Sequence, residues 1–378
     1  MCIAQDDEED KAREIRSMGT IYKNAAITIA AASSSDVNDG FLSPRPVSTI
    51  CQLPTLHSDG NFGVAHLSPV DSKPPADEPL DQRCWTFQET FLSPRVLYYG
   101  SKDLIWKCQM KRFESVMPTH NLYCDTHAQL RLAALPPSVY GLGSQDSAWN
   151  NLSWLSVIYN YSKRCVRIYE DRFRALGGVA EELQKASGDI YLAGMWSSSF
   201  ITQLVWKYVG TEYDSTTDEH QVSPKSPTWS WLTFSRPVEF WTWNGLVEDA
   251  KLVSWNLELL DPASPFGHIT SGQIQLLASI ISASQMPSDH LREYDIHLVK
   301  DFQSSRSSDR FDELAPRGEF YYLLLDQIIP AERGSLCLFL LRLDDAIFSR
   351  QGSVLMTNPY SNKVWQSEPV KRMVIEII

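Results

Sequence analysis

The chain has little basic charge. Its 34 Lys and Arg are outnumbered by 46 Asp and Glu, for a formal net charge of −12. No Lys/Arg run and no basic stripe interleaved with aromatics occurs, so a phosphate-tracking groove, and with it a nucleic-acid partner, is not expected. The seven cysteines (Cys2, Cys51, Cys84, Cys108, Cys124, Cys165 and Cys337) are odd in number and include no C-x-x-C pair. That pattern argues against a zinc site and against a disulfide framework, and fits free thiols in a reducing compartment. The eight histidines show no H-x-x-x-H or H-E-x-x-H spacing, so no metal centre is expected. No nucleophile elbow, P-loop or dinucleotide fingerprint is present. The most apolar run, SLCLFLLRL (335–343), is too short to cross a bilayer, and the opening residues show no secretory pattern. The expectation is a cytoplasmic chain without a membrane segment.

Aromatic residues are plentiful: 12 Trp, 15 Tyr and 15 Phe in 378 residues. They favour packed cores over disorder, and the length allows two or three domains. Along the chain, the acidic start leads into a helix of several turns, with Asp6 or Asp7 as its cap and Ile15, Met18 and Tyr22 at helical spacing. AAITIAAA (25–32) reads as a strand buried on both faces. Weaker strand signals lie near 50–53 and 62–67, and a proline-rich connector follows at 71–81. A helix is expected over about 81–92, capped by Asp81 and stopped by Pro94, with strands RVLYYG (95–100) and DLIWKC (103–108) after it. Residues 110–148 are irregular. Helical patterns cover 149–166, 170–186 and 199–209, and strands are expected at 273–282, 319–326, 335–343 and 371–378, buried on both faces or stacked as a sandwich. Trp229, Ser230 and Trp231 read as core aromatics at a strand start.

The chemistry concentrates in RCWTFQE (83–89). On a helical wheel Cys84, Trp85, Phe87, Phe91 and Leu92 share one face, Gln88 lies in its middle and Glu89 at its edge beside Trp85. Thr86 and Thr90 point away. A glutamine on an apolar face must find a partner, either a neighbouring backbone or a ligand. Glu89 is either a solvated carboxylate or one facing a cleft by the Trp85 ring, where desolvation would raise its pKa for acid/base or cation-stabilising work.

CIAQDDEEDKAREIRSMGTIYKNAAITIAAASSSDVNDGFLSPR (2–45) and PLDQRCWTFQETFLSPRVLYYGSKDLIWKC (79–108) resemble the second and third blocks of the fungal heterokaryon-incompatibility (HET) domain. The resemblance rests on Cys2-Ile3, Gln5-Asp6-Asp7, Met18, Ile21-Tyr22, Ala25, Arg83, Trp85-Thr86 and Gln88-Glu89. YSKRCVRIYEDRFRALGGVA (161–180), GDIYLAGMWSSSF (188–200) and SPTWSWLTF (226–234) resemble the region that follows this domain. The family's first block, which precedes the Cys-Ile element, has no counterpart, so an N-terminally shortened domain is expected. The resemblance implies a partial HET domain over 1–112 with an α/β, TIR-like or flavodoxin-like partial parallel sheet. A mainly helical region (113–210) and a β-rich region (211–378) would follow.

It further implies fungal non-self recognition and programmed cell death signalling through protein partners. TIR enzymes that cleave NAD carry a glutamate four residues after a tryptophan, and Trp85 and Glu89 have that spacing. Glu89 is then the catalytic candidate, with Trp85, Gln88 and Arg83 as binding candidates and NAD as a possible substrate rather than a resident cofactor. A non-enzymatic scaffold or an inactive paralogue is the alternative.

Overall fold

The computed structural model describes residues 7–44, 51–67, 78–102, 104–108, 111–115, 151–166, 168, 170–209, 227–234, 236–241, 246–286, 295–300, 319–328, 334–357, 364–366 and 368–378. The irregular stretch expected at 110–148 falls almost wholly outside them, as does most of 212–228, whose sequence reads as a polar loop. The chain divides into two compact units, Met1–Ser187 and Gly188–Ile378. The architecture mixes α and β, with a β-rich C-terminal part.

The first unit opens with helix α1 (Glu8–Asn24). Asp7 caps it, its Oδ1 accepting from the Asp10 amide at 2.9 Å, while Asp6 lies outside the described residues. Ile15, Met18 and Tyr22 are only half-buried, and the fully buried position of that stripe is Gly19. Strand β1 (Thr28–Ala30) follows, then an antiparallel hairpin of β2 (Cys51–Leu56) and β3 (Phe62–Leu67). Next come helix α2 (Cys84–Leu92) and strands β4 (Arg95–Tyr99), β5 (Leu104–Cys108) and β6 (Lys111–Ser115). Helices α3 (Asn151–Ser162) and α4 (Asp171–Ser187) complete the unit.

The sheet order is β1-β4-β5-β6. β1 and β4 run parallel, with Thr28, Ile29 and Ala30 opposite Val96, Leu97 and Tyr98, and the other two pairings are antiparallel. α2 is therefore the crossover helix between the two parallel strands, the connection a parallel pair requires. The expectation that 25–32 is buried on both faces is corrected. β1 is a three-residue edge strand, and Ile29 stays 58% exposed because only one face meets α2.

The second unit starts with two short antiparallel pairs. β7 (Tyr191–Leu192) pairs with β8 (Met195–Trp196), and β9 (Trp206–Tyr208) pairs with β10 (Val238–Phe240). Residues 199–209 were expected to be helical throughout. Instead helix α5 spans only Phe200–Gln203, and Trp206–Tyr208 is strand. Aromatic Trp206 and Tyr208 suit a pleated surface, and the Trp206 indole donates to the Trp229 carbonyl at 3.0 Å. Trp229 and Trp231 are fully buried, as expected, but they start a 3₁₀ turn (Trp231–Thr233) rather than a strand.

The remaining strands are β11 (Leu246–Glu248), β12 (Lys251–Leu259), β13 (Ile269–Ser282), β14 (Asp295–Lys300), β15 (Phe320–Ile328), β16 (Ser335–Asp344), β17 (Ile347–Thr357) and β18 (Lys371–Ile377). All eight belong to one sheet. The pairings β15-β16-β17-β18-β13 return to β15 through Ile280–Ser282 opposite Tyr321–Leu323, which closes a five-strand ring. The four strands expected from sequence, at 273–282, 319–326, 335–343 and 371–378, are all in that ring. Of the two expected arrangements, burial on both faces holds for runs such as Leu336–Leu340, and ring closure rather than a sandwich achieves it.

Candidate functional site

α2 begins differently from its sequence expectation. A 3₁₀ turn (Pro79–Gln82) precedes it, and Arg83 is the N-cap, with extended backbone and no side-chain cap bond. Asp81 is therefore not the cap. Its carboxylate instead accepts from the Tyr98 hydroxyl and lies 3.5 Å from the Arg164 guanidinium. The helix start is satisfied by a segment far along the chain: the Cys84 amide donates to Cys165 O at 3.1 Å, and the Cys165 amide to Gln82 O at 2.6 Å. Arg164 Nη1 donates to the Arg83 carbonyl at 3.1 Å and to Thr86 Oγ1 at 2.8 Å, and its guanidinium lies 5.2 Å from the Phe87 ring centroid. This contact buries Thr86, which the helical wheel had pointing away. Ser93, ahead of Pro94, ends the helix in extended geometry as expected.

Each of the three α2 side chains singled out from sequence reaches another helix. Trp85 is half-buried, and its Nε1 donates to Asp171 Oδ2, in the first turn of α4, at 3.1 Å. Gln88 is buried, and its Oε1 accepts the Gly178 amide of α4 at 2.9 Å. A Cβ on Gly178 would stand 2.5 Å from that oxygen and 3.2 Å from the Gly19 Cα of α1. Two glycines thus let α1 and α4 approach to backbone contact beside α2, and Gln88 fills the gap with a hydrogen bond.

Glu89 is half-buried on the α1 side. Burial raises its proton affinity above the ordinary carboxyl value; a hydrogen bond with Tyr22 and the charges of Arg83 and Arg164 oppose that rise without cancelling it. Arg83 is exposed and acts on Glu89 through its charge. Trp85, Glu89, Tyr22 and the two guanidiniums therefore belong to one neighbourhood, with a carboxyl group that holds its proton to higher pH than usual.

Two buried neighbours carry further perturbed groups. Burial, with Asp171 second, pushes the Cys84 thiol up to about 11, so it is a packing residue at neutral pH. Lys107 on β5 is buried against the end of α2, its Nζ donating to Thr90 O at 3.1 Å with the Phe91 ring centroid 5.8 Å away. Burial lowers its pKa to about 8. Lys107, Arg164, Asp171 and Gly178 were not singled out from sequence; Tyr22 was, in the α1 stripe and in the HET resemblance, but not as a partner of Glu89. Among the described residues no group of three or more His, Cys, Asp or Glu is arranged to hold a metal ion, and no helix is long and apolar enough to cross a membrane.

The polar residues of α2, the acidic cap of α1 and the crossover position of α2 all lie in one N-terminal stretch. Residues 1–89 match the family described as Heterokaryon incompatibility protein (HET). The HET match ends at Glu89, so it includes α1, β1, Arg83, Trp85 and Gln88. Arg164, Cys165, Asp171 and Gly178, which also hold α2, lie beyond it. Comparison with curated proteins and with solved structures gave no match.

Proposed function

We propose that this chain is a fungal, cytoplasmic signalling protein of heterokaryon incompatibility, in which the HET-matching segment acts as a non-enzymatic interaction module in non-self recognition and programmed cell death. The observation that carries this reading is the use of Trp85 and Gln88 as helix-to-helix hydrogen-bond partners of Asp171 and Gly178. Both side chains are committed to holding three helices together, and protein partners read the surface so built. The HET match over residues 1–89 supports the family assignment on which the signalling role depends.

A second reading is favoured by one specific observation. Glu89 keeps a raised proton affinity beside Trp85, in a segment that crosses between parallel strands. In a TIR-like NAD glycohydrolase such a carboxyl, once ionised, would stabilise the positive charge developing on the ribose as nicotinamide leaves.

Inducible expression in a filamentous fungus separates the two. For the interaction module, vital-dye uptake rises on induction, total NAD stays level, and Glu89→Ala kills as well as the unaltered chain. A fall in NAD that Glu89→Ala abolishes would replace the module by the hydrolase. Viable cells at matched expression would remove both.

A further inference from the structure

β12 lies at one end of the sheet path and, among the described residues, pairs with β13 alone. Its second backbone edge therefore offers N–H and C=O groups to another strand. The preceding strand, β11, does not cover that edge: it pairs with β15, and the Asp249 and Ala250 amides both donate to Leu325 O. β12 is exposed along most of its length, Val253 by 51% and Trp255 by 40%. A bulge separates Leu252 from Ser254, after which Ser254–Glu258 run in regular register against β13.

The pairing with β13 sorts the side chains by face. Leu252, Trp255 and Leu257 stand opposite Leu276, Ile274 and Gly272, on the face that holds the buried Ile274 and Leu276. Lys251, Ser254, Asn256 and Glu258 stand on the other face, opposite Leu277, Gln275, Gln273 and Ser271. Apolar residues thus follow one side of the edge and polar residues the other, with a cation near one end and an anion near the other.

We infer that this edge joins a second copy of the chain, β12 against β12, antiparallel about a two-fold axis at Trp255. With Val253 as the extra residue of the bulge, this register sets Trp255 against Trp255 and Leu252 against Leu257 on the apolar face. On the polar face it sets Ser254 against Asn256 and Lys251 against Glu258, each contact occurring twice. A two-fold interface must be self-complementary in this way, and shifting it by one residue would place polar side chains against apolar ones. Charge selects the occupant. The net charge of −12 makes copies repel in general, yet along this edge every ionised group meets its opposite. Glu258 is also held on the polar face by the Ser271 hydroxyl at 2.7 Å.

Sedimentation equilibrium of the full chain over a wide concentration range tests the pairing. The expected result is a reversible monomer–dimer equilibrium. Lys251→Glu and Glu258→Lys, each with unchanged circular dichroism, weaken it on the order of tenfold, because each places like charges at both ends of the interface. An equimolar mixture of the two variants regains the original affinity, since opposite charges then face each other at both ends. A chain that is monomeric at every concentration would overturn the inference, in favour of an extended segment of another protein. Dimerisation indifferent to both reversals, or a mixture no tighter than either variant alone, would overturn it as well.

Discussion

Gln88 accepts the Gly178 amide at 2.9 Å from a position that a β-carbon on residue 178 would crowd to 2.5 Å. The glutamine and the glycine thus require each other, although 90 residues separate them in the chain.

The first prediction follows from that pairing. Gly178→Ala should lower the urea midpoint by an amount equivalent to about 1–3 kcal/mol, because the new methyl displaces a buried amide oxygen. Gln88→Ala should cost a similar amount by leaving a cavity and a lost acceptor. The double variant should be less unstable than the sum, since each change removes part of the other's damage. Recovery stays incomplete because the methyl still meets the Gly19 Cα at 3.2 Å.

Trp85→Phe tests the second helix contact. An aromatic ring is kept, but the pyrrole part of the indole and its N–H to Asp171 are lost, so the expected cost is about 1.5–3 kcal/mol in urea unfolding, the range for a hydrogen bond to a charged group. Asp171→Asn, which keeps an acceptor and removes the charge, should cost less than Trp85→Phe.

Glu89 gives a pH prediction. Its folded pKa is raised, so the native state binds the proton more tightly than the unfolded chain does. Its contribution is therefore fully present below the unfolded carboxyl pKa and is lost as pH rises through the folded value. Glu89→Gln should flatten stability over the mildly acidic range that begins near the ordinary glutamate pKa. Urea midpoints at stepped pH measure it; an unaltered slope would mean that Glu89 is solvated.

Asp326 behaves alike in the second unit and more strongly. It is fully buried at a bulge in β15, both carboxylate oxygens lack a hydrogen-bond partner among the described residues, and β-strand register sets it opposite Glu248. Burial, with Glu248 second, raises it to about 6. The stabilising neutral form is present below about 4 and is lost as pH passes about 6. Asp326→Asn should then raise the urea midpoint at pH about 7.5, by up to about 3 kcal/mol, and leave it almost unchanged at pH about 4.

The legible parts of the fold are those where local pattern and tertiary context agree. Helix α1, the two strands near 50–53 and 62–67, the stop at Pro94 and four of the five ring strands follow from capping, turn residues, proline and short apolar runs. Trp206–Tyr208 did not, because a helical continuation after Phe200–Gln203 has the same apolar pattern and only pairing with β10 decides between them. The site was legible as a set of residue types on one helix. The partners were not: Arg164, Asp171 and Gly178 meet α2 from another part of the chain, and no spacing rule links residue 88 to residue 178. Thr86 shows the same limit, since a wheel of α2 alone cannot include a guanidinium arriving from Arg164.

Strand pairing at Cys165 and helix contacts at Asp171 and Gly178 also determine how the molecule can be taken apart. The HET match stops at Glu89, but the compact unit that contains α2, and the bonds that hold Cys84, Trp85 and Gln88, run on into α4. A fragment cut at the family boundary would keep the signature residues and lose the walls around them. Substitutions at Arg164, Asp171 and Gly178 are then as able to unseat α2 as changes within the HET-matching segment.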